Sequence, residues 1–261
     1  MSSTEPVDVE FDAPYDGPFS VTVDRVATGG AALGVGPDGR VVFVHGAVPG
    51  EELTAEATAL HRSRVEARPV EILRPSPDRV EPPCRHARTD GDGETACGGC
   101  DWQHIALERQ RGLRVEIVED CLRRLARLEA LPPVVSGPEL PADGYRTTVR
   151  AVVSDGRAGF RRRRSHDPLV VDECVIAHPR IEELLTDGRF GPDATEVVIR
   201  VGANTGERMV VVDPSADGVV APDDVVVVGR DELAAGRRPH IHEELGGLRL
   251  QISADSFFQC R

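Results

Sequence analysis

Lysine is missing from the 261 residues, so all 31 basic side chains are arginine. With so much Ala, Gly, Val and Asp beside it, this usage reflects base composition or a salty habitat rather than an activity. No apolar run approaches the roughly 20 residues that span a bilayer, so no membrane anchor is expected. The N-terminal MSSTEPVDVEFDAPYDGP has no basic segment leading into an apolar one, which excludes a secretory signal or a transit peptide. A cytoplasmic location follows as an expectation. In that reducing compartment the six cysteines read as ligands, catalytic groups or core fillers rather than disulfides. Positive charge is also short: the net charge is −13, which weighs against nucleic acid, because neutralising phosphates needs a positive surface. The deficit lies at the two ends, however, and over residues 101–190 acids and arginines balance.

The length suits two modest domains. Residues 1–14 read as a flexible acidic tail. Over residues 19–73, short Val/Thr/Phe segments alternate and are punctuated by Gly, Pro and Asp, the pattern of a small antiparallel barrel, expected over 15–75. Gly29, Gly30, Gly34 and Gly36 do not form a dinucleotide loop, since no helix pattern follows them; they read as bulge and turn glycines. The Pro-rich RPSPDRVEPPC is a linker and places the boundary near residue 76. From Ile105 to Leu131 the pattern is helical, with Val118, Cys121, Leu122, Leu125 and Leu128 as the apolar stripe and Pro132 and Pro133 as its stop. Cys121 on that stripe reads as a small core residue. Beyond residue 145 hairpin patterns return, one turning at Asp155-Gly156 and one between Asn204 and Gly206, with a short helix near IEELL. The expected class is β-rich α+β: a small OB-like barrel, then a mostly antiparallel α+β domain over 76–261.

Cys84, Cys97 and Cys100 form C-x12-C-x2-C. A C-x2-C turn aims two thiolates at one point, and Gly98 and Gly99 give the backbone freedom a metal knuckle needs. Cys174, at the end of an expected strand, is the best fourth ligand. Four thiolates suit zinc or a [4Fe–4S] cluster alike. A redox pair would need a C-x-x-C that opens a helix after a strand, whereas TDGDGETA before this one is loop. His86 and His104 flank the site and read as surface or capping residues rather than ligands, while Trp102 reads as a cover over the metal.

GGAALGVGPDGRVVFVHGAVPGEEL resembles a TRAM domain, a small RNA-binding barrel. PPC, CGGCDWQHIALERQ with its Gln103 and Gln110, GFRRRRSHDPLVVDEC and DSFFQ resemble, in order, the S-adenosylmethionine-dependent RNA uracil-C5 methyltransferases. The resemblance runs from about residue 17 over nearly the whole chain. It implies a [4Fe–4S] cluster on Cys84, Cys97, Cys100 and Cys174, although the gap after Cys84 is longer than the family's usual one. It also implies methyl transfer from S-adenosylmethionine to uracil C5 through a cysteine nucleophile and a carboxylate base. Those parts belong to a Rossmann-like domain after FFQ, which is expected to be absent here. Gln259 matches the cofactor-touching glutamine, Cys260 does not match the nucleophile, and no catalytic residue is assigned. S-adenosylmethionine is expected to bind only if a catalytic domain is supplied.

The run Arg161, Arg162, Arg163 and Arg164, on a strand that would point two each way, with Arg146, Arg150 and Arg157 nearby, is the candidate phosphate-binding patch. On the barrel, Phe43 reads as a core residue and, with His45, as a lesser candidate for base stacking. The expectation is the RNA-recognition and iron–sulfur part of a tRNA or rRNA (uracil-5-)methyltransferase. Its partners would be structured RNA and a separately encoded methyltransferase domain, with neither DNA nor membrane. The alternative is a stand-alone, non-catalytic RNA-binding protein with a structural zinc or iron–sulfur site.

Overall fold

The computed structural model describes residues 14–88 and 97–258. The expected acidic tail, Pro14 apart, and the cofactor candidate Gln259 lie outside the described residues. Contacts divide the chain into two compact units, one taking residues up to Pro82 together with Asp101–Pro138, the other Pro83–Cys100 with Glu139 onward. Residues 101–138 thus cluster with the barrel.

In the first unit, β1 (Phe19–Val26), β2 (Ala32–Val35), β3 (Val41–Val44), β4 (Glu52–Leu60) and β5 (Arg64–Arg74) close into a barrel in the order β1-β2-β3-β5-β4. All pairs are antiparallel except β3 with β5. The two-residue alternation of β1 puts Phe19, Val21 and Val23 inside, where they meet Val42, Val44, Leu53, Ala55, Val65 and Ala67. Mostly Val and Ala fill the interior, as a narrow barrel requires. Gly34 sits where a Cβ would come within 2.4 Å of the Thr22 carbonyl oxygen, beside the bulge in β1, and Gly30 takes φ +91°. These glycines are bulge and turn residues.

One helix joins this unit, α1 (Leu107–Arg124). It ends earlier than the sequence pattern suggests, with Arg127 already in the left-handed region at φ 55°. The buried seam also differs. Leu113, with Ile117 against it, packs on Val26, Val48 and Ile105, and Cys121 continues that row to the Thr28 hydroxyl, 3.5 Å from its sulfur. Cys121 is half-buried there rather than a core residue. The expected stripe turns outward, with Val118 46 % and Leu125 78 % exposed.

The second unit is built on β6 (Thr148–Ser154), β7 (Arg157–Arg161), β8 (Pro168–Val170), α2 (Pro179–Thr186), β9 (Glu196–Val201), β10 (Arg208–Asp213), β11 (Val225–Gly229), α3 (Arg230–Ala234), β12 (His240–Leu245) and β13 (Leu248–Ser253). Six of these strands form one sheet, β11-β10-β9-β6-β7-β8, and β12 pairs with β13 in a separate hairpin. The Val-rich runs reflect burial on both faces. Val197, Ile199, Val210 and Val212 meet Ile181, Leu184 and Leu185 of α2, while Val198, Met209 and Val211 meet Leu233, Ile241 and Ile252. The β6–β7 turn falls on Asp155 (φ 51°) and Gly156 (φ 71°), both in the conformation of a tight hairpin. The parallel pairing of β10 with β11 was not expected. No helix among the described residues is long and apolar enough to cross a membrane.

Candidate cysteine centre and its arginine hairpin

Cys84 precedes a single 3-10 turn, Arg85–Ala87. Its neighbours are fastened to the segment before Cys174. The Arg85 N–H donates to Glu173 (2.9 Å), His86 Nε2 lies 2.8 Å from Asp172 Oδ1, and the Arg85 guanidinium pairs with Asp172. His86 and Arg85 together hold the Asp172 carboxyl below its ordinary range. Cys174 is fixed in turn by its own N–H, which donates to Glu182 of α2 at 2.8 Å.

Cys97 forms a β-bridge to Arg162. The Gly98 N–H donates to the Arg161 carbonyl at 2.9 Å, and a Cβ on Gly98 would stand only 2.9 Å from that oxygen. The loop can follow the hairpin backbone so closely because residue 98 has no side chain. The Gly99 N–H points back at the Cys97 sulfur, 3.3 Å away, and Arg163 Nη2 donates to the Cys100 carbonyl at 2.7 Å.

Cys84, Cys97 and Cys174 are 7, 8 and 8 % exposed, and Cys100 is half-buried. Burial pushes the Cys174 thiol up to about 11, with the nearby Cys100 and Cys84 adding to the shift. Cys97 is raised as well, by burial first and with Cys100 and Cys84 adding, against opposing pulls from the Gly99 N–H and, less, from Arg163. The Cys97 and Cys174 thiols thus each feel those of Cys84 and Cys100. Among the described residues no three of His, Cys, Asp or Glu are grouped to hold a single metal ion, so the expected ligand set does not stand as a mononuclear site. Such a set of thiols is one a metal cluster could use, because the ligating form is the thiolate, and at Cys97 the Gly99 N–H and Arg163 work against the burial that disfavours it.

The arginine run departs from the expected pattern. Only Arg161 belongs to β7; the chain turns after it, and Arg164 has φ 57°. Arg163 faces the cysteine loop, and Arg157 turns inward onto the Thr186 carbonyl. Arg150 pairs with Glu196 at 3.1 Å, and Arg161 lies 3.0 Å from His166 Nδ1. Arg146, Arg150, Arg161 and Arg164 are exposed and Arg162 is half-buried. Five of the seven candidates thus remain toward solvent.

Two aromatic expectations are corrected. Val42 and Val44 point into the barrel, so the alternation turns Phe43 outward. The Arg64 guanidinium lies 6.0 Å from its ring centre, and His45 Nε2 lies 3.0 Å from Glu66. Trp102 is no cover for the cysteines: its indole N–H donates to the Gly30 carbonyl at 2.9 Å, and its ring packs with Val26, Val48, Ile105 and Leu113. Gln110 holds the entry to α1 by donating to the carbonyls of Trp102 and Ile105. The ties from Asp172, Glu173 and Glu182 were not anticipated; they leave no periodic trace in the sequence.

No protein-family model matches the chain. An uncharacterized RNA methyltransferase of Streptomyces coelicolor is 34 % identical over 263 residues, covering 92 % of this chain and 56 % of its own length. A 23S rRNA (uracil(1939)-C(5))-methyltransferase of Halomonas elongata is 34 % identical over 251 residues, covering 94 % of this chain and 48 % of its own. The homologues are named RNA methyltransferases. This chain spans about half to three-fifths of their lengths. The crystal structure of the Pyrococcus abyssi tRNA (uracil-54, C5)-methyltransferase in complex with S-adenosyl-L-homocysteine aligns with a TM-score of 0.55 over 92 % of this chain and 61 % of that one. At 20 % identity this likeness shows a shared fold.

Proposed function

We propose that this chain is the RNA-docking and [4Fe–4S] part of an S-adenosylmethionine-dependent tRNA or rRNA (uracil-5-)methyltransferase. Methyl transfer itself is assigned to the further length that the relatives carry. The observation that carries the reading is the burial of Cys84, Cys97 and Cys174, with Cys97 and Cys100 tied to an arginine-bearing hairpin, in a chain whose relatives are named RNA methyltransferases.

A zinc tetrahedron would draw its sulfurs to within about 3.8 Å of one another. In a cubane cluster each thiolate takes a separate iron. Bound there, the cluster would supply a charged, rigid centre joining the 84–100 loop to Cys174. The Arg85 and His86 ties hold the Cys84 segment to that of Cys174, and Gly98 ties the Cys97 turn to the hairpin. Gln259 is offered as a contact to the S-adenosylmethionine cofactor. On the RNA side, Arg146, Arg150, Arg161, Arg162 and Arg164 are offered as phosphate contacts, and outward-facing Phe43 with Arg64 as a stacking platform on the barrel.

Anaerobic purification followed by iron, sulfide and zinc analysis tests the metal half. A brown protein with about four irons and four sulfides per chain supports the reading, and a colourless zinc protein overturns it. Binding to tRNA and rRNA fragments tests the other half, and failure to bind either would overturn the docking role. Binding with zinc in place of iron would favour a stand-alone, non-catalytic RNA-binding protein.

A further inference from the structure

Facing the cysteine loop from the turn after β7 is a cation whose hydrogen bonding is incomplete among the described residues. Arg163 spends its Nη2 on the Cys100 carbonyl, while its Nε–H is buried with no partner among the described residues. A buried guanidinium donor left unpaired is costly, and a well-packed loop has no reason to retain one unless something accepts from it. The place of Arg163 is set by the backbone rather than by the long side chain alone, because Cys97 and Gly98 are bonded to the hairpin at Arg161 and Arg162, immediately before it.

Four thiolates outweigh the positive charge of a cubane core, so a bound cluster would be a buried anion. Buried anions require counter-charges and N–H donors. We propose that Arg163 is the counter-cation of this cluster, its unpaired Nε–H serving as a donor to the inorganic centre, and that it thereby sets the cluster's lifetime and reduction potential. The proposal rests on the iron–sulfur reading above. It removes Arg163 from the RNA-binding patch and gives it a role toward the metal. Hydrogen bonds to sulfur and local charge are among the established controls of cluster potential. Reduction adds one electron to the core, so a neighbouring cation favours the reduced form and raises the potential.

The test compares the full chain with its R163Q and R163K variants, purified anaerobically. Folding is checked by circular dichroism. Three quantities are read: iron and sulfide content, the decay of absorbance near 400 nm in air, and the reduction potential from a dithionite titration followed by electron paramagnetic resonance. Arg163→Gln keeps an N–H for the Cys100 carbonyl but no charge, whereas Arg163→Lys keeps the charge. The expected result is absorbance loss about tenfold faster in R163Q, as for a lost charge-assisted hydrogen bond, with a more negative potential that R163K largely restores. Should R163Q hold no cluster at all, retention by R163K supports the role of charge, and equal loss in both overturns it. An R163Q protein with faster decay but the parent potential would make Arg163 a structural tie to Cys100 and overturn the proposal, as would unchanged decay and potential. A parent protein without iron or sulfide would bring down the iron–sulfur reading itself, a failure distinguishable from the others because it appears before any substitution is made.

Discussion

At the scale of single residues, Glu51 is a charge in the first unit with no exposed surface. It accepts from the Val48 and Ser76 N–H groups and from Arg79, whose Nη2 also reaches the Gly46 carbonyl. Burial alone would raise the Glu51 carboxyl, but Arg79 and the two N–H groups outweigh it and hold the group below its ordinary 4.5. A depressed carboxylate contributes stability that is present above 4.5 and is lost as pH falls through the folded value. Glu51→Gln is expected to cost about 2–3 kcal/mol at neutral pH and to flatten the fall of the melting temperature between about pH 5 and pH 3. Thermal melts of parent and variant over that range check both parts, and parallel curves would remove the assignment. Gly98→Ala tests the approach of the loop to the hairpin: a Cβ 2.9 Å from the Arg161 oxygen pushes the loop from the hairpin, so hydrogen exchange at the amide of residue 98 should quicken by at least an order of magnitude. The glycine pattern of the barrel and the C-x2-C turn are legible because each rests on local backbone chemistry. The outward turn of Phe43 is not, since the parity of a four-residue strand depends on which neighbour enters the core first. The inward turn of Arg163 is hidden as well, because β7 ends two residues before it.

At the scale of elements, α1 shows how an apolar period can name a helix and miss its buried face. Val118, Leu122 and Leu125 fit the spacing as well as Leu113, Ile117 and Cys121 do, and the sequence does not say which row meets the barrel. Burial decides it, since Leu113 is fully buried and Leu125 lies in the open. Leu113→Ala should therefore cost about 2–5 kcal/mol through the cavity it leaves, while Leu125→Ala should stay within about 0.5 kcal/mol. Urea unfolding of the two variants separates them, and equal losses would mean that the outer row is covered in solution. In the second unit the β6–β7 hairpin is legible from Asp155-Gly156. The partner of β11 is not, because a Val run buried on both faces has no alternation to disclose direction or neighbour. Arg208 is the same lesson with a charge: only 4 % exposed, it sits in β10 among Val residues and is sustained by Asp224 and Glu183. Burial works against its charged form, yet these two carboxylates keep its pKa above the ordinary value.

At the scale of the whole molecule, a net charge of −13 and an RNA-docking role conflict only if charge is averaged over the chain. Phosphate contacts depend on local cations within a Debye length, and the exposed arginines from 146 to 164 are close together in sequence. The structure lowers the number available: with Arg157 and Arg163 turned inward, five candidates remain, and Arg150 is already paired with Glu196. Each phosphate neutralised on a single strand contributes about −0.7 to the slope of log affinity against log salt. The proposed docking therefore predicts a slope between about −2 and −3.5 for tRNA or rRNA fragments, corresponding to three to five contacts. Charge reversal of Arg161 and Arg164 together should make that slope shallower by about 1.4, whereas Arg157→Gln should leave it unchanged because that side chain faces Thr186. Filter binding across a salt series measures all three proteins. If the double reversal kept both the parent affinity and the parent slope, RNA docking would have to leave this hairpin for another face, with the outward Phe43 and Arg64 of the barrel as the next surface to substitute.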